Sequence, residues 1–104
     1  MDNKFTIPPN PALVKEAEDI ISRAENASVY DNIRIQAELN NVLNKIFEFR
    51  EETFKQAQNY LFKSFVNQVT VTLNPDLEAT IEKVFDCQQR LFKKHKTAST
   101  INIT

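Results

Sequence analysis

Glycine is absent from all 104 residues. At ordinary usage roughly seven would be expected in a chain of this length. Glycine is the default residue for positive φ and for close approach of backbone to phosphate. Its absence therefore argues against a Walker loop, a dinucleotide fingerprint, an EF-hand loop and a nucleophile elbow. Tight hairpins of the primed types lose their usual residue as well. Tryptophan is also missing, and there is one cysteine, Cys87, so no internal disulfide can form. Charge of one sign is lacking too. The net charge is −1, which provides no global field to draw in nucleic acid or anionic lipid. No run approaches 18 apolar residues, so a membrane span is not expected. The opening Met1-Asp2-Asn3-Lys4-Phe5-Thr6-Ile7-Pro8-Pro9 has no apolar core of a signal peptide. A cytoplasmic protein is the expectation. The 11 asparagines fit an AT-rich bacterial or protist genome.

What is present reads as helix. Pro8, Pro9 and Pro11 predict an extended N-terminal arm over residues 1–10. Asn10 is placed to cap a helix with Pro11 at its first position. Leu13, Val14, Ala17, Ile20, Ile21 and Ala24 then recur at helical spacing. Asn26 stands where a left-handed residue would close that helix. Ser28 followed by Asp31 is a relative of the capping box and starts the next one. From there no proline intervenes until Pro75.

The apolar stripe runs from Ile35 to Val69 with one polar interruption, Arg50-Glu51-Glu52-Thr53. Either one long central helix, about 28–70, continues through it, or the chain turns near 50–53 and four short helices result. Arg and Glu are good helix formers, and turns usually carry Gly, Asn, Asp or Pro, which favours the long helix. The β-branched run Val69-Thr70-Val71-Thr72 has no evident strand partner and is read as helix fraying before Asn74-Pro75. Asn74-Pro75-Asp76-Leu77 repeats the helix-start recipe of Asn10-Pro11-Ala12-Leu13. The last helix has acids first (Asp76, Glu78, Glu82) and bases last (Arg90, Lys93, Lys94, Lys96), as the helix dipole prefers. The fold class is all-α, with a single helical domain over 11–96 and a flexible tail over 97–104.

Three helices built around a long one leave apolar flanks open. Phe47, Phe49, Phe62 and Phe65 do not fit one narrow seam and are the candidate partner-binding residues. A homodimer that completes a four-helix core is the simplest closure. The plainer account of the eight phenylalanines is core filling.

Arg90-Leu91-Phe92-Lys93-Lys94-His95 places the only histidine five positions after an arginine. This resembles the motif of HEPN-type ribonucleases, small dimeric helical bundles that work without metal. The resemblance implies His95 as general acid or base and Arg90 as stabiliser of developing phosphate charge. The plainer account makes Arg90 a solvated charge and His95 a cap on the last turn. Glu48, Glu51, Glu52 and Asp86 do not make a di-metal site, because that pattern needs Glu-x-x-His pairs and no glutamate stands three residues before His95. No metal and no cofactor are expected. Cys87, beside Asp86, reads as an inert small hydrophobe.

The favoured reading is a non-enzymatic interaction module: an adaptor, chaperone or immunity-type protein using a Phe-rich helix face. In size, helicity and an aromatic later half such as Asn59-Tyr60-Leu61-Phe62, the chain resembles the small four-helix immunity proteins of bacteriocin producers. The alternatives are the ribonuclease on Arg90 and His95, and a weak nucleic-acid binder acting through the basic end of the last helix.

Overall fold

A computed structural model describes the backbone of residues 4–63 and 70–103, and the side chains of 4–58 and 70–94. The element order is β1 (Lys4–Ile7), α1 (Pro11–Glu25), α2 (Val29–Lys63), β2 (Thr70–Leu73) and α3 (Pro75–Ile103). The fold is a three-helix bundle with a long central helix.

Each helix starts where its sequence provides a cap. Asn10 Oδ1 accepts from the Leu13 amide at 3.2 Å, and Pro11 occupies the first turn, where its missing N–H leaves nothing unpaired. Asn74 Oδ1 accepts from the Asp76 amide at 2.9 Å. Ser28 Oγ accepts from the Asp31 amide at 3.4 Å and donates to the Asp31 carboxylate at 3.1 Å. Asn26 closes α1 at φ −108°, ψ 12°. That is not the left-handed conformation expected of it. The α1–α2 connection turns on right-handed backbone, with Ala27 N–H donating to Ala24 C=O, so no glycine is required there.

α2 runs unbroken through Arg50 to Thr53. Its 35 residues span about 52 Å. The four-helix alternative with a turn near 50–53 is thereby corrected, and so is the helix end near 70, because Thr70 opens β2. The physical reason is visible in what covers the helix around the polar quartet. β1 and β2 form a two-stranded parallel sheet, Lys4 opposite Thr70 through Ile7 opposite Leu73. The Phe5 ring lies 6.3 Å from that of Phe54, tilted by 53°. Phe49, Phe54, Val71 and Leu73 pack around a small core of Ile7, Ile46 and Leu77, all fully buried. A stretch of helix that looked unpartnered is covered by strands.

Residues 1–10 are thus not merely an extended arm, since 4–7 pair in a sheet. The run Thr70-Val71-Thr72 is strand rather than frayed helix. Thr6 and Thr72 also join their hydroxyls at 3.1 Å. Helical backbone extends through 97–103, where a flexible tail was expected.

α1 and α3 run parallel to each other and antiparallel to α2. Arg23 of α1 meets Glu38 of α2 in a forked contact of 3.1–3.3 Å, and Lys45 reaches Glu16 at 2.7 Å. The Glu38 bond pushes the Arg23 guanidinium pKa further up. Lys83 of α3 lies 4.0 Å from Glu18. Because the same strand–Asn-Pro–helix order occurs twice, parallel helices imply parallel strands. The main core joins Ala17, Ile20 and Ala24 of α1, Ile35, Leu39, Val42 and Leu43 of α2, and Val84, Cys87 and Leu91 of α3. Asn32, 2% exposed, donates to the Leu91 carbonyl at 3.0 Å and accepts from Gln36. A buried amide satisfied in this way fixes the α2/α3 register, because a slip would leave it unpaired.

Candidate functional site: the open face between α2 and α3

Among the described residues, three helices enclose one side of a core and leave the other open. On α2, the residues that reach α1 (Glu38, Lys45) lie on one flank of the buried stripe Leu39–Val42–Ile46. Gln36, Asn40 and Phe47 lie on the other, roughly 180° round the helix. On α3, Lys83 and Lys94 face α1, the latter donating to the Ala27 carbonyl at 3.2 Å. Phe85 and Phe92, one helical step ahead of buried Val84 and Leu91, fall on the opposite flank.

The two outer flanks form a groove of about 740 Å³ lined by Gln36, Asn40, Phe85, Gln88, Gln89, Phe92 and Lys93. Gln88 Nε2 donates to Asn40 Oδ1 at 2.7 Å across it. The groove therefore has one aromatic wall, on α3, a polar wall on α2, and an amide bridge between its two helices. Val29 and Ile33 extend the α2 wall towards its N-terminus, and Phe47 extends it two turns beyond Asn40. Among the described residues, the exposed large apolar side chains are Val29 (41%), Tyr30 (94%), Ile33 (71%), Phe47 (44%), Phe85 (47%) and Phe92 (61%). All but Tyr30 lie on this face. It occupies the position a fourth helix would take in a four-helix bundle.

Of the candidate residues, Phe47 belongs to this face. Phe49 does not, because it is half-buried against Ile7, Ile46 and Leu77. Phe62 lies on α2 with its side chain outside the described set, and Phe65 lies outside the described residues altogether. Phe85, Phe92 and Ile33 were missed as surface residues. The readable signal was a Phe pair spaced by seven that stands one position off the Val84/Leu91 pair.

Arg90 and His95 lie on one continuous helix. Five residues of helix set their directions roughly 140° apart. The Arg90 guanidinium is exposed and meets Asp86 at 3.4 Å. The His95 side chain falls outside the described set. Arg90 also borders a separate cleft of about 250 Å³ with Ala24, Glu25, Cys87, Leu91 and Lys94. Cys87 is 3% exposed. Burial pushes its thiol pKa up, outweighing the opposing pull of Arg90, so at neutral pH it is a neutral thiol and not a nucleophile. Among the described residues no cluster of three His, Cys, Asp or Glu side chains is placed to hold a metal ion. Nor is any described helix long and apolar enough to cross a membrane.

These features define a small helical bundle with one apolar face left uncovered by the described residues. No family model matches the chain, and neither a curated protein nor a solved structure matches it.

Proposed function

We propose that the protein is a non-enzymatic interaction module, of the adaptor, chaperone or immunity kind, that docks a helix of another protein chain on its α2/α3 face. One observation carries this reading: Val29, Ile33, Phe47, Phe85 and Phe92 are exposed together on the side opposite α1. Apolar side chains scattered singly over a surface need no explanation, whereas a contiguous set beside a groove marks an interaction site. Aromatic anchors of this kind carry most of the energy at protein interfaces. The groove's amide bridge is already hydrogen-bonded internally, so covering it leaves those two partnered atoms satisfied. The unpaired Cys87 fits a reducing compartment, and the cytoplasm is the setting we assign.

The test is photo-crosslinking in cells of the source organism. A benzoyl-phenylalanine replaces Phe92 in one variant and Tyr30 in another. Tyr30 is the more exposed of the two but stands off the face. The reading expects a light-dependent protein adduct at position 92 and none at position 30. No adduct at 92, or equal labelling at both positions, overturns it.

A further inference from the structure

We infer that the α2/α3 face takes an amphipathic helix of another protein whose contact stripe is apolar except for one central Asn or Gln. The inference rests on the interaction reading above and names the chemistry of its partner. Three observations carry it.

The first is spacing. On α2, Ile33, Asn40 and Phe47 stand seven residues apart, with Val29 four residues before Ile33 and Gln36 four before Asn40. On α3, Phe85, Gln88 and Phe92 follow at steps of three and four. Those steps are the period at which a helix presents one stripe to a neighbour lying nearly along it, at about 20°. Two such stripes therefore border the groove. A strand, whose side chains alternate every two residues, matches neither of them. From Val29 to Phe47 the α2 stripe runs roughly 27 Å, or five helical turns of partner.

The second is a polar layer in the middle of these stripes. Gln88 Nε2 donates to Asn40 Oδ1. Gln36 Nε2 donates to Asn32 Oδ1, and Asn32 Nδ2 donates to the Leu91 carbonyl. These bonds fix the amides before a partner arrives. A primary amide has more donors and acceptors than one bond uses. A helix laid over the groove takes Asn40 Nδ2 and Gln88 Oε1 out of water, and leaving them unanswered weakens binding. The side chain of an Asn or Gln answers both: its oxygen accepts from Asn40 Nδ2 and its NH₂ donates to Gln88 Oε1. Phe85 and Phe92 stand three residues before and four after Gln88, so the partner's residues on either side of its amide meet aromatic rings and are apolar. One polar position in an apolar seam also sets the register of the two chains.

The third is charge. Of the seven residues lining the groove only Lys93 is charged. A charged residue at the centre of the partner's stripe would give up its water against two amides and two phenyl rings.

The experiment uses the full chain and a synthetic helix of three heptads, about 21 residues, with Leu along its contact stripe. Its central stripe residue is Asn, Leu or Lys in three otherwise identical fluorescein-labelled peptides, and binding is followed by fluorescence anisotropy. The Asn peptide is expected to bind about tenfold tighter than the other two. Asn40→Leu/Gln88→Leu replaces the polar layer with apolar surface and is expected to make the Leu peptide the tightest ligand. Asn40 is exposed and Gln88 half-buried, so this variant is expected to fold, and its helical circular dichroism is checked alongside. Phe92→Glu is expected to weaken the Asn peptide about tenfold or more, which places binding on this face. The inference is overturned by a Leu or Lys peptide that binds the wild type as tightly as the Asn peptide, by an order of affinities that the layer variant leaves unchanged, or by no binding at all. A chain that self-associates in sedimentation equilibrium and loses the association on Phe92→Glu overturns it too, since a second copy is then the occupant. The photo-adduct at position 92 separates the two readings. Where it forms, these outcomes reject only the partner's chemistry and the interaction reading stands; where it does not, both fall.

Discussion

Ile7 offers the sharpest test of the architecture. It lies in the stretch that the sequence presents as an extended arm, yet it is fully buried, enclosed by Ile46 and Leu77 and bordered by Phe5, Leu13, Phe49 and Phe54. Ile7→Ala removes three carbons from that cluster. Deleting a buried Ile down to Ala costs about 2–5 kcal/mol, depending on how far the surroundings collapse. β1 is a strand of four residues with one strand neighbour, so it can shift inward, and the lower half of that range, about 2–3 kcal/mol, is expected. For a domain of this size that lowers the melting temperature by roughly 8–20 °C. The assay is urea unfolding followed by circular dichroism, with Ile33→Ala as control. Ile33 is 71% exposed on α2, and the same truncation there is expected to cost less than about 0.5 kcal/mol. The double variant Ile7→Ala/Leu77→Ala should lose less than the sum of the singles, because the two side chains share one cluster. Equal, small effects at positions 7 and 33 would refute the packing of β1 and with it the explanation of why α2 stays helical past Arg50.

Three further outcomes are expected. Glu51→Pro places a proline inside a continuous helix and should cost about 3 kcal/mol or more in the same unfolding assay; a turn at 50–53 would tolerate it with little loss. Cys87 holds its proton more tightly when folded than when unfolded. Its contribution is whole below the unfolded thiol pKa, about 8.5, and is lost as pH rises from there through the raised folded value. Stability of the wild type should therefore fall more steeply above pH 8.5 than that of Cys87→Ala, and parallel curves would show the thiol is not protected. Labelled RNA incubated with the protein should remain intact. Cleavage that disappears in His95→Ala would establish the ribonuclease reading in place of the interaction module.

The helix starts were legible in the chain because they are local. An Asn or Ser beside Pro or Asp makes its hydrogen bond within three residues, and Asn10, Ser28 and Asn74 all do so. The continuity of α2 was favoured by the helix propensity of Arg50, Glu51 and Glu52, which needs no tertiary partner. The parallel sheet was not legible. Each strand is four residues long, and the two lie 66 residues apart, so neither run carries a hint of the other. Parallel pairing has no hairpin turn to announce it. Asn26 misled for a related reason: its composition fits a left-handed cap, but the turn into α2 closes through Ala27 and Ala24 instead. The open face was half readable. Phe47 was identified from its failure to fit the seam. Phe85 and Phe92 were covered only by the core-filling account of the phenylalanines, since only the placement of α1 decides which flank of α3 is covered.

The pairing of β1 with β2 gives synthesis of this chain a built-in delay. Leu73, the strand partner of Ile7, is made 66 residues after it, roughly 3–13 s later at common elongation rates. During that interval α1 and the first part of α2 can already fold back on one another through the Arg23–Glu38 and Lys45–Glu16 contacts. Ile7, Phe5, Ile46 and Phe54, by contrast, have no finished core to enter until β2 and Leu77 arrive. The nascent hairpin thus carries a sticky end at Phe5 and Ile7 that stays open until β2 and Leu77 follow.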